Sequence, residues 1–411
     1  MRVATRDKGR APRVPPRFSD TSFSRALKII AVRRNQNMRI AIAAESFLPR
    51  ANGVSNSVVQ VSRHLRKRGI AGLIIAPDSY PHDEFEGTPV HRVRSVEIPG
   101  VHDVDIVLSS AQAMREVIED FGATSVHLAS PFVLGWQALS GAQLAGVPVV
   151  SAFQTHISGF AHHYGFSPVA FLADSVVRRI HRNSQLNLAP SRDSVDYLRG
   201  LGISRISTWG RGVDLGQFDP EQRSLALRDS WNVGDRKVVG FVGRLAPEKN
   251  AHLLARFSNS VDTAVVIVGD GPSRVALERL MPKATFTGRL TGGDLAAAVA
   301  SMDVLVAPGE LETFCQVVQE GMASGVPVVA PAIGGPRDLI EHESTGLLYR
   351  PGDGADMATQ VGRLLSDELL HARISRAAHS WVQGRTWEAL GDHLIEHHRM
   401  VTADKRSRLV A

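Results

Sequence analysis

Residues 237–250 read KVVGFVGRLAPEKN. A short apolar run that closes on Gly243 and is followed by Arg244 and Lys249 reads as a strand buried on both faces that opens into a charged loop. The pattern returns downstream as AVVIVGDG (264–271), ATFTGRL (284–290), MDVLVAP (302–308) and VPVVAP (326–331). Helical spacing fills the gaps, and one helix is expected to start near Phe314 and run to about Ala323. Buried strands alternating with helices make a parallel sheet covered on both faces.

The same alternation occupies the first half of the chain. Its strands are Arg39–Ala44, GLIIAP (72–77), SVHLA (125–129), VPVVSAF (147–153) and NLAPS (187–191). Its helices include VVQVSRHLRKRG, stopped by Gly69, and AQAMREVIEDFG at 111–122. Between the halves the character changes in STWGRGVDLGQFD (207–219). At the far end WVQGRTWEALGDHLIEHHRM (381–400) reads as one long amphipathic helix able to cross back onto the first half. The fold class is therefore α/β, with two Rossmann-like parallel-sheet domains. The expected division is an extension at 1–37, a first domain at 38–208, a second at 209–380 and a crossover helix with tail at 381–411.

Composition narrows the function. At 411 residues the chain is about two domains long. A hydrophobic fraction of 43% excludes a disordered or collagen-like chain. One cysteine excludes an intramolecular disulfide and a cysteine-cluster metal site. The net charge is +6, yet residues 1–37 hold ten Lys/Arg against two Asp. The remaining body is slightly acidic, which takes away most of the support for nucleic-acid binding. The extension lacks the apolar core and cleavage site of a secretory signal, and Met38 opens MRIAIAAES as a first strand would begin. The extension is expected to be disordered; a basic amphipathic turn touching anionic lipid is the alternative for SFSRALKIIAVRR. No run of about 18 apolar residues is present.

Open α/β sheets bind ligands beyond the carboxyl ends of their strands. Four places combine that position with suitable side chains. In GFVGRLAPEKN (240–250), Gly243 permits close backbone approach while Arg244 and Lys249 suit a diphosphate; a solvated loop is the plainer reading. In GELETFCQVVQEGMASGVPVVAP, Glu312 is expected in a loop and Glu320 on the helix, with free N–H groups near Phe314–Val317 able to receive an anion. The two carboxylates could bind sugar and ribose hydroxyls, or do acid–base work, or be a cap and a surface residue. In ESFLPRANGVSNS (45–57), Gly53 either admits a ligand to the next helix or merely makes the turn. FQTHISGFAHHYG (153–165) carries His156, His162 and His163 without metal spacing. A GxGxxG fingerprint, a GxSxG elbow and a Walker A loop are all lacking.

In GRLAPEKN, GELETFCQVVQEGMASGVPVVAP and GGPRDLIEHESTGLLYRPGD the sequence resembles the retaining nucleotide-sugar glycosyltransferases of family 4, which have the GT-B fold: two Rossmann-like domains facing each other across a cleft. The likeness runs from Met38 to about His398. AESFLPRANGVSNSV, HLASPFVLGWQAL, FQTHISGFAHHYG and WGRGVDLGQF are most similar to actinobacterial GDP-mannose-dependent α-mannosyltransferases acting on glycolipids such as phosphatidylinositol or glucuronosyl diacylglycerol.

The resemblance implies a hexosyltransferase in which the first domain takes the acceptor and the second the nucleotide sugar. Arg244 and Lys249 would hold the donor diphosphate and stabilise the leaving group. Glu312 would contact the donor sugar and Glu320 the ribose. Backbone groups of Phe314, Cys315 and Gln316 would line sugar and phosphate; Phe286, Thr287 and Gly288 would face the base; Gly53 would lie under the diphosphate or beside the acceptor. Family members commonly carry a histidine where this chain has Gln154, which is expected to be a hydrogen-bonding sugar contact. No tightly bound cofactor and no metal requirement are expected, though Mg2+ stimulation fits the chemistry. The alternatives are a UDP-sugar enzyme with a soluble acceptor and a non-catalytic GT-B partner; the latter would be expected to have lost one of Arg244, Lys249, Glu312 or Glu320. The expected location is cytoplasmic, with peripheral contact to anionic lipid through Arg63, Arg66, Lys67 and Arg68 as an extension.

Overall fold

The computed structural model describes residues 37–50, 52–98, 101–130, 132–155 and 167–410. The basic extension up to residue 36 and the three histidines of 156–163 lie outside them.

The first half runs β1 (Arg39–Ala43), α1 (Gly53–Lys67), β2 (Ala71–Pro77), β3 (Glu84–Phe85), β4 (Thr88–Val93), β5 (Ser95–Ile98), β6 (Val101–Val107), α2 (Ala111–Phe121), β7 (Ser125–Leu128), α3 (Val133–Leu144), β8 (Val149–Ala152), α4 (Ser167–Asn183), β9 (Leu186–Ala189), α5 (Arg192–Gly200) and β10 (Ile206–Thr208). The second runs α6 (Leu225–Ser230), β11 (Lys237–Val242), β12 (Thr263–Val268), α7 (Arg274–Leu280), β13 (Thr285–Gly288), α8 (Gly292–Ala300), β14 (Val304–Val306), α9 (Gln316–Ala323), β15 (Val328–Pro331), α10 (Gly334–Leu339), β16 (Leu347–Tyr349), α11 (Gly354–Ser366), α12 (Glu368–Val382) and α13 (Trp387–Val410).

The first sheet has the order β10-β9-β8-β7-β1-β2-β4-β3, parallel except for β3, and the second has β13-β12-β11-β14-β15-β16, parallel throughout. Within each, the chain starts at a central strand, steps outward, then returns to the other side of that strand. The reversal falls between β1 and β7 in the first sheet and between β11 and β14 in the second. Such switch points leave a crevice at the carboxyl ends, where doubly wound sheets take ligands. Both faces of each sheet are covered. In the second, Val238, Val266 and Leu305 point to one apolar layer, and Val239, Val265 and Val304 to the other.

The C-terminal segment differs from the single helix expected at 381–400. Trp381 and Val382 end α12, the chain then crosses, and α13 begins at Trp387. The break occurs where the return strand touches the linker: Val213 N donates to Arg385 O at 2.9 Å, and Val213 bridges Thr386. Helix α13 does return to the first domain. Leu394, Ile395 and Val401 join Ile40, Ile42 and Val150 in one core, and Ser125 Oγ lies 2.8 Å from His398 Nδ1.

The α1 cations are engaged within the chain. Arg63 pairs with Glu86 at 2.6 Å, Lys67 with Glu388 and Arg68 with Asp392, while Arg66 donates to Glu86 O. These bridges tie α1 to α13 and to the β3–β4 turn.

Candidate active site

Arg244, Lys249 and Glu312 converge at the second sheet's switch point. Arg244 and Lys249 leave the end of β11, and Glu312 leaves the end of β14. Lys249 Nζ lies 2.5 Å from Glu312 Oε1. Burial works against the ammonium, but Glu312 prevails and holds Lys249 above its ordinary value. Arg244 Nη2 donates to Glu248 at 2.7 Å; that carboxylate is buried and half of the Arg244 side chain stays exposed. Glu248 thus anchors the guanidinium while half of the side chain remains exposed at the rim.

The loop after β14 reaches α9 through Cys315, which is left-handed at φ +71°. That backbone cannot belong to a right-handed helix, so α9 starts at Gln316 rather than near Phe314. Burial and the neighbouring Glu312 push the Cys315 thiol well up, so it is neutral and poorly nucleophilic. Gly335 N donates to Glu312 O at 2.8 Å, which fixes the loop against α10. Glu320 lies on α9 and Glu312 in the loop before it, as expected from the sequence. Burial raises the Glu320 carboxyl to about 7, with Arg211 opposing the rise.

Gly243, Phe286 and Gly288 lie along the same rim. The oxygen of Gly243 would be only 1.9 Å from a Cβ placed on Gly269, so the ends of β11 and β12 approach as only glycine allows. Gly269 N donates to Gly288 O at 2.9 Å, which extends the rim to β13. The Phe286 side chain packs against the core formed by Phe241 and Ile267.

On the opposing side Gly53 opens α1 and Gln154 follows β8. Asn52 caps α1 by accepting from Val54 N and Ser55 N at 3.0 Å, while Asn52 N donates to Ser55 Oγ. Gln154 is buried, and its backbone oxygen accepts from Thr313 Oγ1 at 2.9 Å across the domains. Its Nε2 has no hydrogen-bond partner among the described residues.

Two residues of this region were not singled out by sequence reasoning. Arg211, from the linker, donates through Nη2 to Gln154 Oε1 at 3.2 Å and lies so close to Gly53 that a Cβ there would sit 2.1 Å from Nη1. Burial pushes Arg211 down to about 10, and Glu312 and Glu320 resist that fall. Its signal was a lone arginine between two glycines in WGRGVD, which carries no chemistry until the domains are assembled. Glu45 follows β1 at the other switch point. It is buried, accepts from Gly135 N at 3.1 Å, and its carboxyl is raised to about 8 by burial.

Two parallel-sheet domains facing across a crevice, with cations, carboxylates and a helix start on the second domain's rim, define a group-transferring enzyme of the GT-B type that binds an anionic donor. Residues 51–217 match the family model described as Glycosyltransferase Family 4, and 236–367 that described as Glycosyl transferases group 1. The chain is 45% identical to the GDP-mannose-dependent alpha-mannosyltransferase of Mycolicibacterium smegmatis, over 90% of this chain and 100% of that one. It is 42% identical to the enzyme of the same name from Corynebacterium glutamicum, over 89% of this chain and 90% of the other. The solved sucrose-phosphate synthase of Thermosynechococcus elongatus superposes with a TM-score of 0.75 at 20% identity, over 89% of this chain and 100% of that one, a likeness of fold alone. The chain belongs to the family 4 glycosyltransferases. It is a hexosyltransferase, closely related to the actinobacterial α-mannosyltransferases.

Proposed function

We propose that this retaining transferase takes α-mannose from GDP-mannose and places it on a hydroxyl of a glycolipid or polyol. The observation that carries the reading is the facing of Arg244 and Lys249 with Glu312 at the second switch point, within 2.5 Å for the Lys249–Glu312 pair. In a bound donor, Arg244 and Lys249 hold the diphosphate, and their charge offsets the charge that grows as the sugar–phosphate bond breaks. Glu312 accepts from sugar hydroxyls and Glu320 from the ribose. The N–H groups at Phe314–Gln316 face sugar and phosphate, the Phe286–Gly288 backbone faces the base, and Gln154 Nε2 donates to the sugar. The acceptor enters from the first domain beside Gly53 and attacks the face that the diphosphate leaves. Cationic side chains carry the charge work, so no metal is required.

The acceptor reading includes work on the cytoplasmic face with peripheral contact to anionic lipid. Arg63, Lys67 and Arg68 already have acidic partners. Binding to anionic vesicles that is lost on their charge reversal assigns the contact to α1; binding lost on removal of residues 1–37 assigns it to the extension. The donor is tested by calorimetry with GDP, UDP, GDP-mannose and UDP-sugars, with Glu320→Ala as control. Selective GDP binding lost in the variant is expected. Selective UDP binding would sink mannose as the donor.

A further inference from the structure

Two side-chain amides, one from each domain, are held by successive residues of the linker. Gln154 follows β8 in the first domain, and its Oε1 accepts from Arg211 Nη2 at 3.2 Å. Gln316 opens α9 in the second domain, and its Nε2 donates to Gly212 O at 2.7 Å. Thr313, shortly before Gln316, donates to the backbone oxygen of Gln154 at 2.9 Å and draws the two residues to one region. The linker has little room to shift. A Cβ on Gly210 would lie 2.7 Å from the Phe314 ring, and one on Gly212 2.2 Å from Trp387 N. Both amides are therefore held on a fixed support.

Each partner dictates which way its amide points. A guanidinium has only donors, so Gln154 turns its oxygen to Arg211 and its Nε2 away. A backbone carbonyl only accepts, so Gln316 turns its Nε2 to Gly212 and its Oε1 away. The two atoms left over, Gln154 Nε2 and Gln316 Oε1, are buried and have no hydrogen-bond partner among the described residues. Other buried side-chain atoms there are unpaired too, Ser151 Oγ and Gln319 Oε1 among them, but only these two belong to residues bonded to positions 211 and 212. An unpaired buried polar atom is costly, and a ligand that pairs it removes the cost.

The leftover atoms are one donor and one acceptor, and that polarity selects the ligand group. An ionised phosphate oxygen has lone pairs only and cannot satisfy Gln316 Oε1, whereas a hydroxyl both donates and accepts. The base is too far away to serve. Its place on β13 is three strands from β14, which leads into α9, a span of about 14 Å at roughly 4.8 Å per strand. Resting on the donor site proposed above, we propose that Gln316 is a specificity residue whose side-chain oxygen accepts from a hydroxyl of the transferred hexose, while Gln154 Nε2 donates to the same sugar. This is a task of the side chain, separate from that of the Gln316 N–H. The hexose is then read from both domains at once. A sugar lacking that hydroxyl leaves Gln316 Oε1 unpaired and is bound less tightly.

The test measures Kd by calorimetry on the whole chain, for GDP-mannose against GDP and for UDP-glucose against UDP. The ratio within each pair isolates what the hexose adds. Two variants are compared with wild type: Gln316→Met removes the amide, and Gln316→Lys keeps a donor for Gly212 O but has no acceptor. If Gln316→Met melts early through loss of the Gly212 bond, Gln316→Lys still carries the test. Each variant is expected to lower the hexose contribution about tenfold. An equal loss for nucleotide and nucleotide sugar would mean that Gln316 only clamps the linker or reads the ribose, and overturns the proposal. In a second arm the donor's hexose lacks one hydroxyl at a time, at C2, C3, C4 or C6. The difference between wild type and Gln316→Lys should vanish for one of these analogues and persist for the others. A difference that survives in all of them also overturns the proposal. Selective binding of UDP-glucose would sink mannose as the donor alone, because the hexose contribution is then read on UDP-glucose against UDP. A folded wild type that binds neither nucleotide sugar would overturn both readings.

Discussion

Lys249 Nζ donates to Glu312 Oε1 at 2.5 Å, a charge-assisted hydrogen bond inside the site. Removing the ammonium leaves Glu312 partly buried beside the place where a diphosphate would gather negative charge. Lys249→Ala is expected to lower kcat by about 100-fold or more in steady-state assays, with a folded protein by circular dichroism. Glu45 gives a second prediction at this scale. Its carboxyl is raised from 4.5 to about 8 by burial. Its contribution is present below the ordinary carboxylate value and lost as pH climbs toward 8, the reverse of an ion-paired acid. Glu45→Gln keeps a neutral acceptor for Gly135 N. Its melting temperature relative to wild type should therefore rise with pH across that window, and a flat difference would mean that Glu45 stays ionised.

Among the elements, α13 has the greatest reach. Leu394 is buried with Ile40 and Ile42 under the first sheet. Leu394→Ala is expected to destabilise by about 2–5 kcal/mol, read as a lower urea midpoint. The same helix shows how far sequence reading goes. Buried runs such as VVGFV and VPVVA announce their strands because a strand covered on both faces must be apolar throughout. The loop placement of Glu312 and the helical placement of Glu320 were also legible, since a strand end and a small-residue helix bracket them. The break between α12 and α13 was not, because Gly384–Thr386 leave the helix to meet Val213, a contact set by 170 residues of intervening fold. The hairpin β5–β6 was missed because SVEI and VHDVDIV alternate with charge rather than run apolar. Arg211 escaped for the reason α13 did, its partners being remote in sequence: 57 residues to Gln154.

At the scale of the whole molecule, polar contacts among the described residues join the two domains. Asp193 on α5 accepts from Gly334 N at 2.6 Å at the start of α10 and pairs with Arg337. Thr313 reaches Gln154, and Arg192 lies 3.5 Å from Asp338. Interfaces of this kind let domains move relative to each other. Asp193→Ala is expected to favour an open form, seen as a larger radius of gyration in small-angle scattering without donor, and to raise the donor KM more than it lowers kcat. An unchanged scattering profile would show that Asp193 does not hold the domains together.

The return of α13 to the first domain has a consequence for how the protein is made. Ile40 and Ile42 leave the ribosome well before Leu394 and Val401, the residues that cover them. At about 5–20 residues per second, the roughly 350 intervening residues take about 18–70 s to synthesise. Throughout that interval one face of the first sheet lacks its cover, and nascent chains stalled before α13 should be cut by protease in the first domain while the second is already resistant. The newborn chain therefore asks its cell for shelter, a demand set not by how strongly the finished protein holds together but by the order in which its parts arrive.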